Sequence, residues 1–291
     1  MNAFDYEAPQ SVDEAISLLS AGNGNIGILA GGTDLIAQLK EGRKIDLMLD
    51  LKRIPEATAL SFDEDSGLSI GAATPCSQIY GYDVVESRYP ALVDCTSLIG
   101  SIQIQNRGSI GGNFCNASPA ADTPPAVIVL GGTCRIAGPN GTRDVAAEDF
   151  FTGPGQSVLQ SGEFLVSIQV PTPGANSGAF FLRFIPRNEM DIAVANAAAS
   201  VVLDSEKTTI QEARVAIGAV APTPLLVADA GAALVGKAVD DEDAIEAASA
   251  ASRAAARPIS DMRGTIEQRI HLSGVLTRRA IQGAIQRAKE S

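Results

Sequence analysis

The chain has a single histidine and only four cysteines, no two of them close together in sequence. Each scarcity excludes a chemistry. A mechanism needing an imidazole base would have to use His271, whose setting, Gln268-Arg269-Ile270-His271-Leu272, reads as a helix on which it packs or faces solvent. Cys76, Cys95, Cys115 and Cys134 include no CxxC pair, whereas structural zinc and iron–sulfur sites show at least one close pair of ligands, so they read as free thiols of a reducing compartment. No nucleophile–base pair is evident, and no metal-ligand cluster.

Basic charge is also scarce: 22 Lys and Arg against 34 Asp and Glu give a formal charge of −12. Without a basic stripe interleaved with aromatics, nucleic acid and anionic membrane are excluded as expected partners. Long apolar runs are missing too. The most apolar window, residues 213–239, is broken by Pro222, Pro224, Asp229 and Lys237, which rules out a transmembrane segment there. Met1-Asn2-Ala3-Phe4-Asp5-Tyr6-Glu7 lacks the basic and apolar regions of a secretion signal, so the expected location is cytoplasmic.

What is present is a mixture of helix and strand signals. Ser11-Val12-Asp13-Glu14 has the form of a capping box, opening a helix that stops at Gly22. Gly22-Asn23-Gly24-Asn25-Ile26-Gly27 matches GxGxxG in letters, yet it follows a helix and opens a strand, the reverse of a dinucleotide fingerprint, and is read as a turn. A strand at residues 26–29, a helix through Lys40 and a strand at residues 45–49 complete a small α/β unit. The pattern restarts with a strand at residues 68–71, Thr74-Pro75 as a helix start, a helix from Pro124 to a stop at Gly131-Gly132, a hairpin about Gly138-Pro139-Asn140-Gly141, and a strand at residues 164–170. The turn formers of residues 171–178 mark a linker. Beyond it, strands are expected at residues 179–183, 193–203 and 213–220, although the alanines of 193–200 also suit a helix, then helices at 241–256 and 264–289. The expected fold is α+β, with units at residues 1–57, 58–173 and 174–291.

Two glycine pairs carry the functional signal. Leu29-Ala30-Gly31-Gly32-Thr33-Asp34-Leu35-Ile36 runs an apolar strand into a turn and a helix, and Ser109-Ile110-Gly111-Gly112-Asn113 repeats the theme. Such turns expose backbone N–H groups to an anion, and glycine lets a pyrophosphate come close; a tight turn alone accounts equally for either pair taken singly. Thr33, Asp34, Ser109 and Asn113 are side chains suited to phosphate oxygens and sugar hydroxyls. Asp122 would be repelled by a pyrophosphate, so it either accepts hydrogen bonds from ribityl or ribose hydroxyls or caps the helix after it.

These two motifs, followed by Ala117-Ser118-Pro119 and Asp122, resemble the FAD-binding signatures of the flavin subunit of molybdenum hydroxylases, including the carbon monoxide dehydrogenase medium subunit and the xanthine dehydrogenase flavin domain. The resemblance spans essentially the whole chain. It implies two α/β FAD-binding (PCMH-type) subdomains followed by an α+β flavoprotein C-terminal domain. It further implies that residues 29–36 and 109–113 hold FAD, with Ser118 and Asp122 nearby, and that Ile99, Leu165, Arg183, Asp191 and Ile192 neighbour the flavin, the last two in a loop at 187–192. Its implied partners are a molybdopterin-containing large subunit, which oxidises substrate, and a small subunit with two 2Fe-2S clusters. FAD would then reduce NAD or a quinone-type acceptor. A self-contained flavin oxidase and a cofactor-free scaffold are the alternatives. Valine at Gly32 or Gly111 is expected to empty the flavin site and spare the fold.

Overall fold

A computed structural model describes residues 3–22, 24–187 and 190–291. Asn23 of the GxGxxG-like turn, and Asn188 and Glu189 of the 187–192 loop, lie outside the described residues.

The N-terminal unit comprises β1 (Asp5–Glu7), α1 (Val12–Ala21), β2 (Ile26–Leu29), α2 (Leu35–Lys40) and β3 (Leu47–Asp50). Ser11 caps α1 by accepting from the Glu14 N–H at 3.2 Å, while Glu14 accepts from the Gln10 N–H at 2.7 Å. The three strands pair in the order β1-β3-β2, all parallel. β3 is central and its Met48 and Leu49 are buried; it starts two residues later than expected. β1 was not foreseen, because it is short, exposed and without apolar alternation.

The second unit runs α3 (Pro55–Thr58), β4 (Leu60–Asp63), β5 (Gly67–Gly71), α4 (Cys76–Tyr80), α5 (Asp83–Arg88), α6 (Pro90–Thr96), α7 (Ile102–Gln105), α8 (Ile110–Asn116) and α9 (Thr123–Val129). It continues with β6 (Thr133–Gly138), β7 (Gly141–Ala146), β8 (Phe151–Gly153), β9 (Gln156–Ser157) and β10 (Phe164–Val170). Its main sheet, β4-β5-β10-β6-β7, is antiparallel throughout, and α4 to α9 come as a block between β5 and β6. Leu68, Ile70, Ile110, Phe114 and Ile168 join helices to sheet in one buried cluster. Thr74 does not cap α4 as expected; its hydroxyl donates to the Ala59 carbonyl and Pro75 holds the cap position.

The third unit comprises β11 (Ser177–Phe184), β12 (Ala195–Leu203), β13 (Ile210–Gly218), β14 (Leu225–Leu226), α10 (Ala228–Leu234), α11 (Glu242–Ala255) and α12 (Ile266–Glu290). The four strands form an antiparallel meander. The alanine-rich segment is strand, because its two faces are buried against different cores. Ala195, Ala197, Ala199 and Val201 face the helices of this unit, whereas Ala198 faces the core of the second unit. Burial on both sides overrides alanine's helix preference, and small side chains let helices approach from each side. β13 begins three residues before the expected strand. Arg287 of α12 pairs with Asp94 of α6 at 2.6 and 2.8 Å, tying the third unit to the second.

Candidate functional site

β2 ends at Leu29 and α2 begins at Leu35, and the turn between them needs both glycines for different reasons. Gly32 has φ +78°, a left-handed backbone that costs other residues about 1–2 kcal/mol. Gly31 sits against residues 107–108 so tightly that a Cβ would lie 1.9 Å from the Arg107 carbonyl oxygen. The turn is braced from below by Lys52, whose ammonium donates to the Ala30 carbonyl at 3.1 Å and to Asp50 at 2.7 Å. Burial works to raise the Asp50 carboxyl, but bonds from Lys52 and Tyr6 outweigh it and hold it below the usual range. Lys52 and Asp50 lie beyond the motif, so no sequence signal pointed to them.

The second glycine pair is differently placed from the expectation. No strand precedes it: α7 does, and Gly111 and Gly112 occupy the first turn of α8. Ser109 caps that helix by accepting from the Gly112 N–H at 3.1 Å. A Cβ on Gly111 would sit 2.5 Å from the Ala72 backbone, whereas one on Gly112 would meet only the Ser109 hydroxyl at 3.0 Å and the Ala30 methyl at 3.9 Å. Gly111 is therefore a packing residue, and valine there would break the fold rather than spare it. Gly112 leaves open the gap between the two turns. Asn113 spends its side-chain oxygen on the head of α9, accepting from the Thr123 N–H and hydroxyl at 3.3 and 2.6 Å.

Between the turns lies a cavity of about 270 Å³. Of the residues expected from sequence, Ala30, Gly31, Gly32, Thr33, Asp34, Leu35, Ile99, Ser109, Gly111, Gly112, Asn113 and Leu165 line it. Gln38, Arg43, Cys115 and Asn116 line it as well and were not anticipated as ligands. Gly31, Gly32, Thr33, Asp34 and Leu35 make no backbone N–H bond to another described residue, nor do Ile110 and Gly111. Six of them, the N–H groups of residues 31–35 and Gly111, belong to cavity-lining residues at two helix starts and suit a doubly charged anion. Neither Thr33 nor Asp34 caps α2 through its side chain; burial pushes the Asp34 carboxyl above its usual range, and with no described residue bonded to it the carboxyl is left available to sugar hydroxyls. Cys115 is open to the cavity while its walls, closing around it, push the thiol up to about 12; the other three cysteines are buried.

Leu29, Ile36, Ile110, Ser118, Asp122, Arg183, Asp191 and Ile192 do not line this cavity. Asp122 occupies the cap position of α9 without capping it. Its carboxylate instead pairs with Arg183, which also donates to the Leu98 carbonyl at 2.8 Å, next to the cavity-lining Ile99. Burial pushes Asp122 up to about 6 against the pull of the guanidinium. Asp122 Oδ1, Arg183 Nε and Asn196 Oδ1 are buried there without a partner. Ser118 accepts from the Ala120 N–H at 3.3 Å. Asp191 pairs with Arg187 and Arg263, and Ile192 is half exposed. Among the described residues there is no cluster of three or more His, Cys, Asp or Glu able to hold a metal, and no helix long and apolar enough to cross a membrane. His271 is exposed on α12.

The glycine gap, the free N–H groups and the unpartnered Asp34 carboxyl fit a ligand combining a pyrophosphate with sugar hydroxyls, as FAD does. Comparison with known proteins agrees. Residues 2–173 match the model of the FAD binding domain in molybdopterin dehydrogenase, and residues 180–284 match the CO dehydrogenase flavoprotein C-terminal domain. The carbon monoxide dehydrogenase medium chain of Hydrogenophaga pseudoflava is 33% identical over 97% of this chain and 96% of its own length. The xanthine dehydrogenase FAD-binding subunit of Escherichia coli O157:H7 is 31% identical over 97% and 96%. A solved carbon monoxide dehydrogenase from Hydrogenophaga pseudoflava superposes with a TM-score of 0.93 at 33% identity, covering 98% of each chain. The chain belongs to the FAD-binding subunit family of the molybdopterin dehydrogenases, and is an oxidoreductase subunit whose cofactor is FAD.

Proposed function

We propose that this chain is the electron-relay subunit of a multi-subunit dehydrogenase, receiving electrons from 2Fe-2S clusters of a small subunit and delivering them to NAD or a quinone-type acceptor, while a molybdopterin-containing large subunit oxidises the substrate. The observation that carries the reading is the cavity itself: two glycine turns from separate units, with six backbone donors and no described partner for them. Relatives named for carbon monoxide and for xanthine resemble this chain over nearly its whole length, which supports a role independent of substrate.

FAD, when bound, supplies the redox chemistry. The chain's own residues hold and orient it. The N–H groups of residues 31–35 and 111 would bind the pyrophosphate; Thr33, Asn113 and Asp34 would meet phosphate oxygens and sugar hydroxyls. Ile99 and Leu165 offer an apolar wall to the ring system. Arg183 fixes that wall by holding the Leu98 carbonyl, and would keep Asp122 placed near the ribityl chain. Ser118, Asp191 and Ile192 would border the flavin only from outside the cavity.

The test is co-expression with candidate partner subunits, purification through a tag on this chain, and metal analysis. Molybdenum and iron co-purifying with flavin, followed by flavin reoxidation on adding NAD or a soluble quinone, is expected. Oxidation of an organic substrate by this chain alone, with its two electrons reducing the bound flavin in the absence of molybdenum and iron, would overturn the relay role.

A further inference from the structure

Every residue lining the cavity between the glycine turns falls between Ile26 and Leu165, so the third unit contributes none of its walls. It reaches them through one buried node. Asn196 is the single polar residue in the alanine run 195–199 of β12, is fully buried, and by the alternation of the strand faces the second unit. Its register partners across the sheet are Arg183 of β11 and Gly218 of β13. Glycine is required there, since a Cβ at residue 218 would lie 2.3 Å from Asn196 Oδ1. The Asn196 amide nitrogen donates to the Ala121 carbonyl at 3.2 Å, and the Ala219 N–H donates to the Pro119 carbonyl at 2.7 Å. The neighbouring ends of β12 and β13 thus grip the segment that joins α8 to α9 and carries Asp122. Arg183 pairs with the Asp122 carboxylate and holds the Leu98 carbonyl beside the cavity-lining Ile99.

We infer that Asn196 is a positioning residue for the flavin wall, and that one buried water completes the node it forms with Asp122 and Arg183. That the wall meets flavin rests on the FAD reading above; the node does not. Asp122 Oδ1, Asn196 Oδ1 and Arg183 Nε are each buried without a partner. The two oxygens accept and the nitrogen donates, which is the complement of a single water giving two hydrogen bonds and taking one. The Ala121 carbonyl engages the nitrogen of the Asn196 amide, so the oxygen is the end left for the water. Arg183 and Asn196 both favour the charged carboxylate of Asp122, and burial opposes them. The Cys95 thiol of α6 also acts on this site; burial pushes it up, so it stays uncharged. Removing the Asn196 amide loosens the segment carrying Asp122 and strips the carboxylate of a donor, which weakens the hold of Arg183 on both Asp122 and Leu98.

The test follows the pH midpoint of Asp122 in the full chain stripped of flavin, read from unfolding free energies relative to Asp122→Asn in each background. Asn196→Ala removes the amide, and Gly218→Ala drives the Asn196 oxygen from the node while leaving the residue in place. Both are expected to raise the midpoint by about one pH unit, tenfold in proton affinity. Asn196→Ser should recover part of that shift, and a crystal structure of the flavin-free chain should show one water bonded to all three atoms. A loss of stability equal at every pH with the midpoint unmoved in both alanine variants, or a dry node, overturns the inference. Titration with FAD reads the coupling to the cavity: Asn196→Ala should weaken FAD about tenfold although residue 196 does not line it, and wild-type affinity overturns the positioning role. Failure of the wild-type chain to bind FAD at all would instead overturn the FAD reading, with the node still decided by the midpoint and the water.

Discussion

Alanine at two adjacent glycines should have opposite consequences. At Gly111 a methyl group would lie 2.5 Å from the Ala72 Cα, Cβ and carbonyl oxygen, about 1 Å inside an ordinary contact, and the obstacle is buried backbone that cannot rotate away. Overpacking of that kind costs about 1–3 kcal/mol, which corresponds to roughly 2–12 °C in unfolding temperature for a chain of this size. At Gly112 the same methyl group meets only a hydroxyl at 3.0 Å and another methyl at 3.9 Å, while alanine gains up to about 1 kcal/mol of helix propensity. The fold should tolerate it. The added methyl group does, however, point across the gap between the glycine turns, where it would hold a pyrophosphate away from the N–H cradle. Losing one charged hydrogen bond, about 1.5–3 kcal/mol, predicts FAD binding weaker by about tenfold to a hundredfold. Thermal unfolding of the flavin-free chain and titration with FAD separate the two effects. Wild-type FAD affinity in Gly112→Ala, or a wild-type unfolding temperature in Gly111→Ala, would refute the reasoning.

Two further outcomes follow from titratable groups. Because burial raises Asp122 to about 6 from an ordinary value of 3.8, its contribution to stability is present below pH 3.8 and is lost as pH rises through 6. Denaturant unfolding of the wild type, measured relative to Asp122→Asn, should therefore lose about 2 kcal/mol between pH 4 and pH 7; a relative gain would mean that Arg183 outweighs burial. Cys115, the one thiol open to the cavity, should be the single cysteine alkylated in the flavin-free chain, slowly because its thiol is pushed up to about 12, and FAD should protect it. Mass mapping that finds unprotected alkylation with FAD bound would place the cofactor elsewhere.

Local signals in the sequence carried much of the architecture. The capping box, the glycine stops, the hairpin turn and the long C-terminal helices depend on neighbours in the chain and appear where expected. The elements that were missed or shifted depend on distant partners. β1 exists because β3 offers it an edge, and β12 is a strand because two cores bury it. The candidate site divides in the same way. Gly31, Gly32 and Gly112 were legible, but the distinction between Gly111, which packs on Ala72, and Gly112, which faces the cavity, exists only in three dimensions. Asp122 does not cap α9, since Arg183, far along the chain, takes its carboxylate. Arg43 and Gln38 lay beyond the motif and reach the site through the geometry of α2 and α8.

The central claim, that FAD lies across the two glycine turns, is tested most directly by the visible spectrum of the purified, desalted chain with and without added FAD, with the released cofactor identified by mass. The expected result is about one FAD per chain, bleached by a reductant and bound about tenfold to a hundredfold more weakly in Gly112→Ala. A chain that stays colourless with FAD added, or that binds FAD equally well in Gly112→Ala, would contradict it.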